Sequence, residues 1–146
     1  MMDQLSAVIS NCESNASREA VRIVVAIATA FGATGRPWGK DDPAPKEYRL
    51  EFSTSHFVNI VPFQRGRAGA ADHFGIYCPP GEKLVELKQR MMHHFNVSEG
   101  DLVNWNAKRE HTHSQNIDVR ACLSKEALGS LAAVVGWLAQ NAERAK

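Results

Sequence analysis

Glu47-Tyr48-Arg49-Leu50-Glu51-Phe52, the short run Ser53-Thr54-Ser55, and then Phe57-Val58-Asn59-Ile60-Val61-Pro62-Phe63 form the stretch that decides the fold class. Side chains on a strand alternate with period two, so Tyr48, Leu50 and Phe52 share one face. Glu47, Arg49 and Glu51 share the other. That is the signature of a strand with one side on a core and one side in water. The following run is apolar at Phe57, Val58, Ile60, Val61 and Phe63, which predicts a second strand buried more deeply, with Pro62 placing its end at an edge or bend. Three hydroxyl-bearing residues suit the turn between the two strands.

Outward from this pair, His73 to Cys78 reads as a third short strand, stopped by Pro79-Pro80-Gly81. Leu102 to Ala107 and Ile117 to Leu123 read as two more, joined by a polar hairpin. Helical spacing appears on both sides of the strand region. Leu5, Val8, Ile9 and Cys12 predict a helix from about Asp3 to Glu13. Ser17 is placed to restart it as an N-cap, with Glu19 in the first turn. Val21 to Ile27 is apolar nearly all round, which predicts burial on several sides, and Gly32 ends the helix. Glu82 opens a third helix with an inward stripe of Leu84, Leu87, Met91 and Phe95. Ser124 caps the last, with Leu128, Leu131, Val135, Leu138 and Ala142 as its stripe and Trp137 beside it. The expectation is one α+β domain over residues 1–146. Its mostly antiparallel sheet of about five strands is flanked by N-terminal, middle and C-terminal helices.

Composition agrees and narrows the function classes. The 146 residues are 44% apolar and 23% charged, ordinary globular usage that argues against disorder. A formal net charge of +1 gives no whole-protein field towards nucleic acid or acidic membranes, so any such preference needs a local patch. The start, Met1-Met2-Asp3-Gln4, lacks the basic opening and cleavage site of a signal peptide. The most apolar stretch, Ala20 to Phe31, falls well short of the ~20 residues that span a bilayer. Cys12, Cys78 and Cys122 are an odd number without C-x-x-C spacing, as expected of reduced thiols in a cytoplasmic protein.

Three segments hold the polar residues without a structural role. Gly32 to Lys46 carries three glycines and three prolines around Trp38 and reads as a long loop. Gln64 to Asp72 carries Arg65 and Arg67 among glycines and alanines. The hairpin ahead of the last strand carries Lys108-Arg109-Glu110-His111-Thr112-His113. A Trp38 flanked by arginine and lysine suits an exposed interface anchor, and equally a loop residue folded back as a lid over the core. Arg65, Arg67, Lys108, Arg109, His111 and His113 suit phosphate contacts, and equally the solvated positions of ordinary polar loops. His111 and His113 share a face if extended, which is half of a transition-metal site; His93, His94, His73 or Asp118 would have to complete it.

Other motifs fail on context. Ser53-Thr54-Ser55 resembles the strand of arginine-class ADP-ribosyltransferases, but no Glu-x-Glu follows, so it reads as a turn. Asp72 with Glu86-Leu87-Lys88 has the residue types of a metal-dependent nuclease, but on a helix that sends the two charges outward. Cys12 and Cys78 lie on apolar faces, and Cys122 lies two residues before a helix and beside Arg120; a buried or incidental thiol is the default for each.

From about Phe74 onward the order of elements resembles an uncharacterised accessory domain found beside restriction-type nucleases. The resemblance is carried by Phe74-Gly75-Ile76-Tyr77, the helix through Met91, Leu102-Val103-Asn104-Trp105, Ile117-Asp118-Val119-Arg120 and Trp137-Leu138, roughly half of the chain. It implies phage or host-defence biology, with nucleic acid or a defence protein as partner, and it assigns no site residue. The resulting expectation is a non-catalytic macromolecule-binding module without a cofactor, acting through Trp38, Arg65, Arg67, Lys108, Arg109, His111 and His113. Its partner would be another protein, or nucleic acid in the accessory-domain version. The rival is a metal-assisted, nuclease-like hydrolase built on the His111-x-His113 pair. A homodimer through the Ala20–Phe31 helix would supply the cover that its apolar surface calls for.

Overall fold

The computed structural model describes residues 4–12, 14–38, 47–61, 73–79, 81–96, 114–118 and 124–144. The chain order is α1 (Gln4–Ser10), α2 (Asn15–Ala30), β1 (Thr34–Trp38), β2 (Glu47–Glu51), β3 (Phe57–Val61), β4 (His73–Tyr77), α3 (Glu82–Phe95), β5 (Ser114–Asp118) and α4 (Lys125–Arg144). The α+β class expected from the alternation at Glu47–Phe63 is what forms. All strand pairs are antiparallel, in the spatial order β1-β2-β3-β4-β5.

The membership of the sheet differs from expectation. The first half of the expected Gly32–Lys46 loop is strand β1, in which Trp38 is the last residue, in register with Glu47. Gly35 and Pro37 are poor strand formers and hide the strand from a propensity reading. They are tolerated because β1 is an edge, where a missing N–H goes unnoticed. Gly35 is also needed for room, because a Cβ there would meet ring carbons of Tyr48 at 2.6 and 2.8 Å. The strand expected at Leu102–Ala107 lies outside the described residues. Of the one expected at Ile117–Leu123, only Ile117 and Asp118 are described, at the end of a β5 that begins at Ser114.

Helix boundaries follow capping chemistry. Ser14, not Ser17, caps α2: its Oγ accepts the Ser17 backbone N–H at 3.1 Å, and Ser17 itself is buried inside the first turn. At the other end the Gly32 N–H donates to the Thr29 carbonyl at 2.9 Å. Its φ of +99° is a left-handed conformation natural to glycine, and it turns the chain straight into β1. Ser124 caps α4 as expected, its Oγ accepting the Ala127 N–H at 3.1 Å. Asn96 ends α3 in the left-handed region.

The core lies between the sheet and the helices. Leu50, Val58, Ile60, Phe74 and Ile76 form one cluster with Val8, Val21, Val24, Leu87, Met91, Leu131 and Leu138. α2 buries one side only, through Ala20, Val21, Val24 and Ala28, while Arg22 and Ala26 are exposed. Within the chain α2 packs against α1, α4 and β2. α3 and α4 are clamped together. The Trp137 indole N–H donates to Glu86 at 2.9 Å, Arg90 sits 5.4 Å above the indole, and the Ser130 hydroxyl donates to the His94 carbonyl. In α4, Ala127, Val134 and Asn141 join the buried set, whereas Leu128 is 38% exposed. The buried stripe starts one residue earlier than expected, at Ala127, and that rotation of about 100° turns Leu128 outward. Among the described residues, no helix is long and apolar enough to cross a membrane.

Candidate functional site

The register assigns every strand residue to one of two faces. Leu50, Val58, Ile60, Phe74 and Ile76 face the helices. Arg36, Arg49, Phe57, Asn59 and Tyr77 fall on the opposite face, and among the described residues no helix packs there. This second face is not simply wet. Phe57 is only 6% exposed and Asn59 only 3%, yet neither belongs to the hydrophobic cluster.

A stack runs across three strands of this face. The Arg49 guanidinium carbon lies 4.2 Å from the centre of the Phe57 ring. On the ring's other side Tyr77 lies parallel, 4.5 Å between centroids with 13° between planes. Phe57 and Tyr77 are direct cross-strand partners, and Arg49 reaches them diagonally from its own partner Asn59. Such contacts add roughly 0.5–1.5 kcal/mol each beyond simple burial. Beside the stack lies a cleft of about 390 Å³, lined by Arg49, Thr54, Ser55, Phe57, Tyr77, Cys78 and Pro79.

Electrostatics set the cleft's character. Burial works against the Arg49 charge and lowers its pKa, while the carboxylates of Glu47 and Glu51 pull it back up. Glu51 is also held by Arg36 at 2.5 Å. Burial pushes the Cys78 thiol up to about 11, so it is a protonated thiol at neutral pH and no nucleophile. Among the described residues the buried Asn59 side-chain oxygen has no hydrogen-bond partner.

The turn forming one wall is built from its own hydrogen bonds. Phe52 and Ser53 N–H groups donate to the His56 carbonyl at 2.9 and 3.1 Å. The Ser53 Oγ accepts N–H groups from Ser55 and His56 at 3.3 and 3.0 Å. The Ser53 and Ser55 hydroxyls lie 3.0 and 3.1 Å from His56 Nδ1. Burial lowers the His56 pKa, as expected of a neutral ring accepting from a hydroxyl. Ser53-Thr54-Ser55 is thus the strand-to-strand turn that its composition predicts.

Arg65, Arg67, Lys108, Arg109, His111 and His113 lie outside the described residues, as does the side chain of Trp38. Their points of attachment are described, and they fall at two ends of the sheet. Trp38, Glu47, Val61, His73 and Asp118 mark one end, so the segment carrying Arg65 and Arg67 leaves and returns there. Ser114, which follows His113 in the chain, pairs with Tyr77 at the opposite end, where the cleft lies. His73 and Asp118 are paired about 14 Å further along, at ~3.4 Å per residue. His93 and His94 sit at the end of α3, and Glu86 is occupied by Trp137, Lys83 and Arg90. Among the described residues, no group of three or more His, Cys, Asp or Glu is placed to hold a metal ion.

Arg49, Phe57 and Tyr77 are absent from the residues that sequence motifs single out. The available signal was weak: Asn59 interrupting an apolar run, and Arg49 on the polar side of its strand. Comparison of the chain with protein-family models, curated proteins and solved structures returns no match.

Proposed function

We propose that this chain is a non-catalytic binding module that meets another macromolecule with the face of its sheet that no described helix covers. The observation that carries this reading is the Arg49–Phe57–Tyr77 stack beside an open cleft, on the face that no described helix covers. Rigid aromatic and arginine side chains at the rim of a cavity are the residue types that anchor interfaces. The cleft offers no thiolate, and the buried His56 holds the turn together. Lys108, Arg109, His111 and His113 precede the strand that borders the cleft, so they belong to the same proposed contact region. Arg65, Arg67 and Trp38 attach at the far end and would extend the contact along the sheet. Work in the cytoplasm, in phage or host-defence biology, is the setting that the cysteine usage and the resemblance supply.

A photo-crosslinking residue introduced at Arg36 or Thr54, on the sheet face, tests this in cells. A defined adduct is expected from these positions and not from Val85, which is exposed on α3. Protease or nuclease sensitivity of the adduct identifies the partner class. Equal or absent crosslinking at all three positions overturns the reading. The rival hydrolase requires stoichiometric metal in the purified protein that is lost on His113→Ala.

A further inference from the structure

Building on the reading of the sheet face as a binding surface, we infer that His56 is a proton-operated switch in the wall of the cleft. Its neutral ring accepts the hydroxyl of Ser53, and its protonated ring donates to the hydroxyl oxygen of Ser55, a residue that lines the cleft. Hydrogen-bond accounting within the turn leads to this assignment.

A serine hydroxyl has one proton to give and two lone pairs to offer. Both lone pairs of Ser53 Oγ are taken by backbone, the Ser55 N–H at 3.3 Å and the His56 N–H at 3.0 Å. Its proton remains. His56 Nδ1 lies at 3.0 Å and Ser55 Oγ at 3.4 Å, and the nearer atom takes it. Nδ1 is therefore an acceptor, which places the proton of the neutral ring on Nε2.

A proton added at Nδ1 reverses that bond. Nδ1 becomes a donor facing an oxygen that already accepts two N–H groups, so a third enters only if a bond that shapes the turn is given up. Ser55 Oγ, 3.1 Å from the same nitrogen, is the acceptor that costs no backbone bond. Ring charge thus passes the contact from one serine to the next. Ser55 is exposed and lines the cleft beside Thr54, so the change reaches the docking surface. The neutral ring leaves the Ser55 oxygen to the cleft; the charged ring ties it and puts a positive charge behind it.

The surroundings favour the neutral form at pH 7. His56 is 4% exposed, and burial lowers its pKa. At this end of the sheet the neighbouring strands carry Arg49 and Glu51 on β2 and Tyr77 and Cys78 on from β4, the thiol being neutral because burial pushes it up to about 11. The buried residues of the described helices are apolar apart from the neutral Ser17 and Asn141. Proton uptake by the folded chain therefore lies below the ordinary value of about 6.5, and the switch turns as pH falls past that point.

The test is a pH titration of the isotope-labelled full chain by NMR, with the His56 ring identified by its loss in His56→Gln. At about pH 7 Nδ1 is expected to resonate as an unprotonated ring nitrogen and Nε2 as a protonated one. Ser53→Ala deletes the donor to the neutral ring and is expected to raise the titration midpoint. Ser55→Ala deletes the acceptor of the charged ring and is expected to lower it, each by about half a pH unit or more. Ser53→Thr keeps the hydroxyl and should hold the original midpoint. A proton on Nδ1 at pH 7 overturns the inference, as do midpoint shifts of the same sign in the two alanine variants. A ring that takes up no proton before the chain unfolds overturns it too. Where Ser53→Ala does not fold, the tautomer and Ser55→Ala decide. None of these readouts needs a partner, so crosslinking at Arg36 and Thr54 tests the binding-module reading separately.

Discussion

The two faces of the sheet are built from the same strands and obey different rules. On the inner face Leu50, Val58, Ile60, Phe74 and Ile76 are almost fully buried against four helices and need nothing but shape and apolar area. On the outer face burial is reached without a helix among the described residues. Phe57 is covered by an arginine and a tyrosine, and Asn59 keeps a buried oxygen that no group among the described residues satisfies. A face built only for stability would not carry a half-buried guanidinium and an unpaired amide oxygen. The inner face is a core, and the outer face is the one on which we propose that a partner docks.

Substitution of two residues three apart on β4 should show the contrast most sharply. Phe74→Ala, on the inner face, is expected to cost about 3–5 kcal/mol of stability, because it empties a site that cannot collapse fully. Tyr77→Ala, on the outer face, should cost far less, roughly 1–2 kcal/mol from the lost stack. Denaturant melts of both variants measure this; equal losses would erase the distinction between the faces.

The next effect has the opposite sign. Asn59→Val removes the unsatisfied oxygen and places a β-branched side chain at a buried strand position, so it should stabilise the fold by about 1 kcal/mol. A rise in melting temperature with weakened binding to the expected partner would mark Asn59 as a residue kept for contact. A fall in melting temperature would show that its amide supports the face.

The smallest effect expected is on pH dependence. Burial lowers the His56 pKa, so the unfolded chain takes up this proton near the ordinary value of about 6.5 while the folded chain resists it. The contribution of His56 to stability is therefore complete above that value and declines as pH falls below it towards the folded pKa. His94, lowered by burial and then by His93 and Arg90, acts in the same direction. Melting temperatures at pH 7 and pH 5 should fall less steeply for His56→Gln than for the unchanged protein. Identical slopes would mean that the ring is solvated rather than held by Ser53 and Ser55.

Much of the frame was legible in the residues. Alternation at Tyr48, Leu50 and Phe52, the caps at Gly32 and Ser124, and the stripe of Leu87 and Met91 are local patterns with periods of two and 3.6, and each formed where it was expected. β1 was hidden because Gly35 and Pro37 read as loop residues, and only pairing with β2 makes them a strand. The cap of α2 was misplaced by three residues because Ser14 and Ser17 are both suitable and burial of Ser17 decides between them.

The cleft was not legible, and the reason is physical. Arg49, Phe57 and Tyr77 are brought together by cross-strand register, a property of hydrogen bonding between segments up to 28 positions apart in the numbering. Composition and spacing settled that helical segments flank a run of strands, which faces of them are apolar, and that Cys12 and Cys78 lie in apolar surroundings. Antiparallel pairing of β2, β3 and β4 then decided which polar-face residues become neighbours. It also decided that the segments around Arg65 and Lys108 join opposite ends of the sheet, with the Arg49–Phe57–Tyr77 stack at the end where His113 leads into β5.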